Sequence, residues 1–454
     1  MPKNIGERNM RTSKSVAILA EMGTGKTLIS IGIAGYLYLK KEINKLLIVA
    51  PLSITKVWEE EFEKFADFDF QLKVLEGTTN KKEELLRNLF GNKLQVAVVN
   101  YESCWRMEQA IASWKPDMII CDESSKIKNP QAKQSKALHR LGKQSKHNII
   151  LTGTPITNNP LDFFSQYKFL DDNVFGGSYY AFRSRYAVMG GYGHYQVIGY
   201  KNLQELTEKA HKIAFRITKK EALDLPEQVD VIRTIELEPS ARNTYNKVER
   251  DSYAELQNGE IVVTNVLTKL LRLSQITGGY VKDEFNGFVE QVSDAKIEAL
   301  KEIVEECIDA NKKLVVFARF IPEIDEIIKM LKTLGINYSL IRGDVKDRAS
   351  EVDKFQNDPS VKVFVGQLQT TGMGLTLTAA DTAVFYSLSY NFADYEQAKA
   401  RIHRIGQKNN CTYIHLIAKK TIDEKVMDAL KSKKNIADLV VDNWKSLFNQ
   451  EESK

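Results

Sequence analysis

Apolar runs of strand length alternate with amphipathic stretches of helix length along most of the chain. That alternation predicts an α/β fold of parallel, doubly wound sheets. A Gly-rich loop between the first strand-like and the first helix-like run, Ala20-Glu-Met-Gly-Thr-Gly-Lys-Thr27, points the same way. The pattern breaks at Leu225-Pro226 and then restarts with no such loop, so a second α/β layer is expected. The 454 residues are too many for one core. Two domains are expected, 1–228 and 229–454, with small helical and hairpin insertions near 176–202.

In the first half, Val16–Ala20 reads as a buried strand and Leu28–Ala34 opens a helix. Between them, Gly23 and Gly25 let backbone N–H groups turn inward around phosphate oxygens, and the helix aims its positive end at the same point. Met22, Gly23, Thr24, Gly25, Lys26 and Thr27 are therefore the nucleotide-binding candidates. Lys26 is expected on the β and γ phosphates and the Thr27 hydroxyl on Mg²⁺.

Leu46–Pro51 is a second strand, and Ser53–Phe65 a helix. Lys56 and Trp58, near the start of that helix, are placed to meet a phosphate backbone; Trp58 equally suits a core anchor. Leu72–Leu75 and Gln95–Asn100 are strands separated by the helical Lys81–Phe90. Met118–Asp122 is an apolar strand that delivers Asp122 and Glu123 at its carboxyl end, where ligands gather in open α/β sheets. Adjacent carboxylates are costly without a compensating positive site. Asp122 is expected to hold Mg²⁺ and Glu123 to orient and deprotonate an attacking water. Asn148–Leu151 leads into the polar Thr152-Gly153-Thr154 turn, placed to sense a γ-phosphate. Tyr179–Tyr200 interleaves seven aromatic residues with Arg183 and Arg185; the pattern suits either stacking on bases or plugging the seam of an insertion. Lys201–Asp224 reads as helical, with a basic stretch at Arg216–Lys220.

In the second half, Val229–Leu237 is a strand, Ser240–Leu256 a helix capped by Ser240, and Val266–Gln275 a helix ended by Gly278-Gly279. Ala295–Ala310 is amphipathic. Strands follow at Lys313–Ala318, Asn337–Gly343, Val361–Gly366, Val384–Leu388 and Tyr413–Ala418, with a helix at Pro322–Leu334 that has Pro322 at its favoured first position. Two features carry chemistry. The loop Gln369–Thr376 is polar, contains glycine and suits a phosphate backbone. In Gln397-Ala-Lys-Ala-Arg401-Ile-His-Arg404-Ile-Gly-Gln407, Arg401 and Arg404 stand three apart on an expected helix, so they share one face. Two such arginines suit finger residues that stabilise transition-state charge; out of context they are a solvated basic face.

The net charge of +5 permits a nucleic-acid partner without requiring one. No apolar run approaches membrane-spanning length, and Met1–Lys14 lacks the apolar core of a signal peptide. The four cysteines are scattered, which fits a reducing compartment and argues against a zinc site.

In order, Ala20–Thr27, Ala50-Pro-Leu-Ser53, Asp122-Glu-Ser-Ser125, Leu151-Thr-Gly-Thr-Pro155, Arg342-Gly-Asp344, Gly372-Met-Gly-Leu375 and Gln397 to Gln407 resemble the motif series of superfamily 2 helicases. Leu377-Thr-Ala-Ala-Asp381 and His403-Arg-Ile-Gly-Gln407 resemble its Swi/Snf-related branch, in the compact form found in phages and bacteria. The resemblance covers nearly the whole chain. It implies two RecA-like lobes, an ATP and Mg²⁺ requirement, and ATP-driven movement on double-stranded DNA by a monomer in a bacterial or phage-infected host cytoplasm, with replication or recombination proteins as partners. By that resemblance Lys26, Thr27, Asp122 and Glu123 act on Mg-ATP, and Gln397, Arg401 and Arg404 complete the reaction from the second lobe. Ser53, Lys56, Asn100, Arg319, Arg342, Gly343, Thr371 and Gly372 fall in motifs that touch nucleic acid. The alternatives are a strand-separating helicase on RNA or single strands, and an ATP-gated DNA clamp with little turnover. The sequence departs from the family pattern at Ser125, where a histidine is usual, and at Tyr390, where a Trp is common. Fewer than twenty residues precede the loop, without the glutamine that reads adenine, so weaker base specificity is expected.

Overall fold

A computed structural model describes residues 14–157, 159–191, 193, 196–257, 263–282, 289–345, 347–371 and 375–441. The chain divides into two compact units, Met1–Asp224 with Lys433–Lys454, and Leu225–Ser432.

The first unit is built on seven parallel strands: β1 (Ser15–Ala20), β2 (Lys45–Ala50), β3 (Phe70–Val74), β4 (Leu94–Asn100), β5 (Met118–Asp122), β6 (His147–Leu151) and β9 (Ala214–Ile217). Their spatial order is β3-β4-β2-β5-β6-β1-β9. Strand side chains alternate between faces, and the sequence makes both faces apolar. Ala17, Leu19, Leu47, Val49, Ile119 and Cys121 enter one core, while Val16, Ile18, Leu46, Ile48, Met118 and Ile120 enter another. Burying both faces requires helices on both sides, which is the doubly wound arrangement. The helix Lys26–Leu39 contributes Ile31 and Ala34 to the second core, and Thr55–Phe65 contributes Trp58 and Phe62.

The expected helix over Lys201–Asp224 is corrected. Helix covers Leu203–His211 and Lys219–Ala222, and Ala214–Ile217 between them turns extended as β9. β1 is wholly buried, so its free edge has to be paired. Ala17 donates to the Ile213 carbonyl (2.8 Å) and Glu21 to that of Ile217 (3.0 Å).

Between β6 and β9 the chain forms the helix Tyr179–Tyr186 and an antiparallel hairpin of β7 (Ala187–Gly190) and β8 (Gln196–Tyr200). Here part of the aromatic set plugs a seam. Phe182 and Tyr186 are buried, and Phe182 packs on Phe164 and Phe175 with ring centroids 5.2 and 5.1 Å apart. Arg185 is held by Glu205 and Arg183 lies over the exposed Tyr180 ring. Tyr192 and Tyr195 lie outside the described residues.

The second unit has six parallel strands, β10 (Gln228–Ile235), β13 (Leu314–Ala318), β14 (Asn337–Ile341), β15 (Val361–Gln367), β16 (Thr382–Phe385) and β17 (Cys411–Ala418), in the order β10-β17-β16-β13-β15-β14. Leu314, Val316, Val363 and Val384 pack with Leu300, Val304, Ile324 and Ile327 of the helices Ala295–Asp309 and Ile321–Thr333. A short antiparallel pair, β11 (Tyr280–Lys282) and β12 (Val289–Gln291), precedes that layer. Gly279, with φ 93°, ends the helix Val263–Thr277 as expected of a glycine stop.

Candidate functional site

The candidate site is set by strand register. Asp122, the last residue of β5, lies opposite Leu151 of β6, and Leu151 lies opposite Ile18 of β1. The carboxyl ends of three adjacent strands therefore carry the acid pair, the Thr152–Thr154 turn and the Gly-rich loop in that order. With one strand between them, the outer two stand about 10 Å apart, the scale of a nucleotide's phosphates and one cation.

Gly23 and Gly25 both adopt positive φ, 84° and 86°, which an L side chain resists. Gly25 is the N-cap of the helix Lys26–Leu39, and no side chain caps that terminus. Its first N–H groups are thus available to an anion. Lys26 folds back, its Nζ donating to the carbonyl oxygens of Ala20 (3.1 Å) and Glu21 (3.5 Å). The β6 turn comes close to this loop: a Cβ on Gly153 would meet Met22 Cγ at 3.2 Å and Met22 N at 3.3 Å.

Asp122 is buried, and its carboxyl is pushed up to about 7, first by that burial and then by the charge of Glu123. Lys26, the indole N–H of Trp58 (3.1 Å to Oδ2) and the Glu123 amide (2.9 Å to Oδ1) pull the other way. Glu123 sits at φ 50°, ψ 56°, left-handed for a residue with a Cβ, and its Oε2 is buried without a partner. Strain and an unpaired buried oxygen at one residue are costs that a fold retains where the residue is used. Two adjacent carboxyl groups, one with an unpaired buried oxygen, facing a lysine and a phosphate-type loop, suit a divalent cation and a polarised water. No cluster of three or more acidic, His or Cys ligands occurs among the described residues, so a cation held by Thr27 and Asp122 would draw its remaining ligands from nucleotide and water.

The other sequence-predicted residues of this unit lie at neighbouring strand ends. Ser53 is exposed in the short turn Leu52–Ile54 after β2, and Lys56 is exposed with its Nζ 3.4 Å from Glu76. Asn100 ends β4 and caps the helix Tyr101–Arg106, its Oδ1 accepting from Ser103 N at 2.7 Å. Trp58 is the core anchor and an Asp122 ligand at once.

In the second unit, Arg319 follows β13 and Arg342-Gly343 follows β14. Gln367, ending β15, joins them: its Oε1 accepts from Gly343 N (3.2 Å) and its Nε2 reaches the Arg319 carbonyl (3.5 Å). Arg342 is engaged by Asp325 (2.6 Å) and Asp344 (2.8 Å). Gly372 and the Thr371 side chain lie outside the described residues. The expectation that Arg401 and Arg404 share a helix face is corrected. The helix Phe392–Ile402 stops at His403, whose ring is held by Gln228 Nε2 and the Pro226 carbonyl (both 2.8 Å), so Arg404 lies beyond it. The two guanidiniums still converge: both donate to the Leu375 carbonyl, Arg401 at 3.3 Å and Arg404 at 3.0 Å. Gln397 is buried on that helix, and its carbonyl accepts from Arg401 Nε at 3.0 Å.

Sequence reasoning missed a brace at the loop. Glu21 accepts from Arg216 (3.1 Å) with one oxygen and from Lys219 N (2.9 Å) with the other, while Arg216 also donates to the Leu19 carbonyl (3.1 Å). Arg216 was visible only as part of a basic stretch; its partner depends on β9 pairing with β1.

A strand, glycine loop and helix with strand-end carboxylates one strand away define a phosphate-loop nucleotide-binding fold. The family follows from the sequence. Residues 7–278 match the SNF2-related domain and residues 295–406 the helicase conserved C-terminal domain. The chain belongs to the SNF2-related family. Relatives include an "Uncharacterized ATP-dependent helicase" of Mycoplasma pneumoniae, 30% identical over 98% of this chain and 42% of that protein. The "SWI/SNF-related matrix-associated actin-dependent regulator of chromatin subfamily A-like protein 1" of Drosophila melanogaster is 28% identical over 93% of this chain and 53% of its own length. The "DNA repair and recombination protein RAD54-like" of Gallus gallus is 26% identical over 96% and 66%. The chain spans about half the length of the curated relatives it matches. The solved structure of the Sulfolobus solfataricus SWI2/SNF2 ATPase core in complex with dsDNA is 27% identical over 97% of this chain and 91% of that one, with a TM-score of 0.42.

Proposed function

We propose that this protein is an ATP-driven motor that moves on double-stranded DNA. The observation that carries the ATPase reading is the Asp122-Glu123 pair at the end of β5, buried at Asp122, strained at Glu123 and separated only by β6 from the strand that leads into the Lys26 loop. Lys26 leaves its carbonyl contacts for the β and γ phosphates. Loop amides from Met22 to Gly25 hold the phosphate oxygens, and Thr27 and Asp122 hold Mg²⁺. When bound, that ion neutralises charge building on the phosphates. Glu123 accepts a proton from the attacking water: its orphaned Oε2 is an acceptor with no competing donor. Gln397, Arg401 and Arg404 are assigned to the nucleotide from the second unit, the arginines stabilising charge on the departing phosphoryl group.

Support for DNA comes from the relatives, which include a protein of DNA repair and recombination and regulators of chromatin. Ser53, Lys56, Asn100, Arg319, Arg342, Gly343, Thr371 and Gly372 are the proposed DNA contacts. Mobility on duplex rather than strand separation is the behaviour of the family that the sequence resembles. No helix among the described residues is long and apolar enough to cross a membrane.

Steady-state ATP hydrolysis without nucleic acid and with duplex DNA, single-stranded DNA and RNA tests this reading. Strong stimulation by duplex DNA is expected, with third-strand displacement from a triplex as the following assay. Stimulation by single strands or RNA alone overturns the duplex assignment in favour of a strand-separating helicase. Nucleotide binding without turnover in every condition overturns the motor in favour of an ATP-gated clamp.

A further inference from the structure

We infer that Gln166 is a positioning residue that sets the geometry of Glu123 by cross-linking its turn to the loop after β6. Gln166 lies on the helix Phe163–Leu170, is fully buried and has no solvent partner. Its Oε1 accepts from the Ser124 hydroxyl at 2.7 Å, and Ser124 is itself fully buried immediately after the strained Glu123. Its Nε2 donates to the carbonyls of Pro155 (2.8 Å) and Asp162 (2.9 Å). All of its strong hydrogen-bonding directions but one are thus spent joining two functional loops.

The far end of the second loop is tied down as well. Asp162 Oδ2 accepts from the Thr157 amide (3.0 Å) and hydroxyl (2.9 Å). Its near end, at Gly153, packs against the Met22 backbone of the phosphate loop. A closed path of contacts therefore runs from Met22 through Gly153, Pro155, Gln166 and Ser124 to Glu123. Occupancy of the phosphate loop and the pose of the Glu123 carboxylate bias one another through it. A glutamine suits the junction because it accepts with one end and donates twice with the other. A carboxylate accepts only and would face two carbonyl oxygens, and a methionine of similar volume does neither.

This assignment rests on the proposed ATPase reading. The test measures kcat and KM for ATP, and equilibrium binding of a fluorescent ATP analogue, for the wild-type chain, Gln166→Met, Ser124→Ala, the pair together and the conservative Ser124→Thr. The expected result is a kcat lowered about 10- to 100-fold in each single variant, the scale of a misplaced catalytic group. Analogue affinity stays within about threefold, the double variant is no worse than the poorer single one because both break the same path, and Ser124→Thr recovers most of kcat. Single variants that retain kcat overturn the positioning role while leaving the ATPase reading standing. So do variants that lose analogue binding in parallel with kcat, since that marks a general packing defect. If Gln166→Met does not fold, Ser124→Ala, which removes one oxygen, decides alone. A wild-type chain that binds the analogue but never hydrolyses ATP overturns the ATPase reading and this inference with it.

Discussion

Two carboxyls in this molecule share a physical state and differ in what surrounds it. Asp122, the last residue of β5, and Glu323, in the first turn of the helix Ile321–Thr333, are both buried, and burial pushes each up to about 7. Around Glu323 the fold supplies three donors to one oxygen, Oε2, and leaves Oε1 buried without a hydrogen-bond partner. Its Oε2 accepts from the amides of Arg319 (3.1 Å) and Phe320 (3.0 Å) and from the Ser387 hydroxyl (2.6 Å), so the side chain reaches back to the N-cap amide of its own helix, Ile321–Thr333. Around Asp122 the fold adds a second carboxylate, strained and partly unpaired, and a lysine whose own contacts are only carbonyls. A displaced proton affinity therefore does not identify a reactive site. An unpaired buried oxygen occurs at both sites; what separates the two is the second carboxylate, the lysine and the glycine loop gathered at Asp122.

The largest effect that would sharpen this contrast is at that second carboxylate. Glu123→Gln keeps size and ATP binding but removes the proton acceptor, so turnover is expected to fall by about 10³ or more, read as kcat against nucleotide affinity. Unchanged turnover would remove Glu123 from the chemistry. Arg404→Ala is expected to lower kcat by about 10³, the order of a finger arginine; a loss under about tenfold would mean that its contact with the Leu375 carbonyl is its whole role.

Glu323 should respond in stability and pH instead. Because the folded Glu323 holds its proton up to about 7, while the unfolded group releases it near 4.5, the native state binds more protons through that window. Stability contributed by this site is full below the unfolded value and is lost as pH rises toward 7. Glu323→Gln is expected to flatten part of the fall in thermal midpoint over that range, by a few degrees. An unaltered profile would break the comparison. The smallest effect is expected at Trp58→Phe. It keeps an aromatic anchor in the core but removes the indole N–H from Asp122, and should cost about 1 kcal/mol of stability and lower kcat by a few-fold. A loss as large as that of Glu123→Gln would place the indole in the chemistry.

The sequence by itself determined the parallel α/β class, the phosphate loop and the strand-end acids, because each of these is written in contiguous residues. Period-two burial with apolar residues at every position reads as a doubly covered strand, and Gly23 and Gly25 stand where the backbone needs positive φ. Tertiary structure alone decided what depends on partners far apart in the chain. Ala214–Ile217 became a strand because β1 had a buried edge to fill, and that strand brought Arg216 to Glu21, 195 residues away. Arg404 left the helix because His403 is tied to Pro226 and Gln228, about 175 positions earlier, yet it still meets Arg401 at one carbonyl. Gln166 carries no local signal: a glutamine on a helix becomes a junction only when two loops deliver a hydroxyl and a carbonyl to it. Local propensity and pattern act over a few residues, whereas buried polar groups must find partners wherever the fold provides them, and only the assembled fold says where that is.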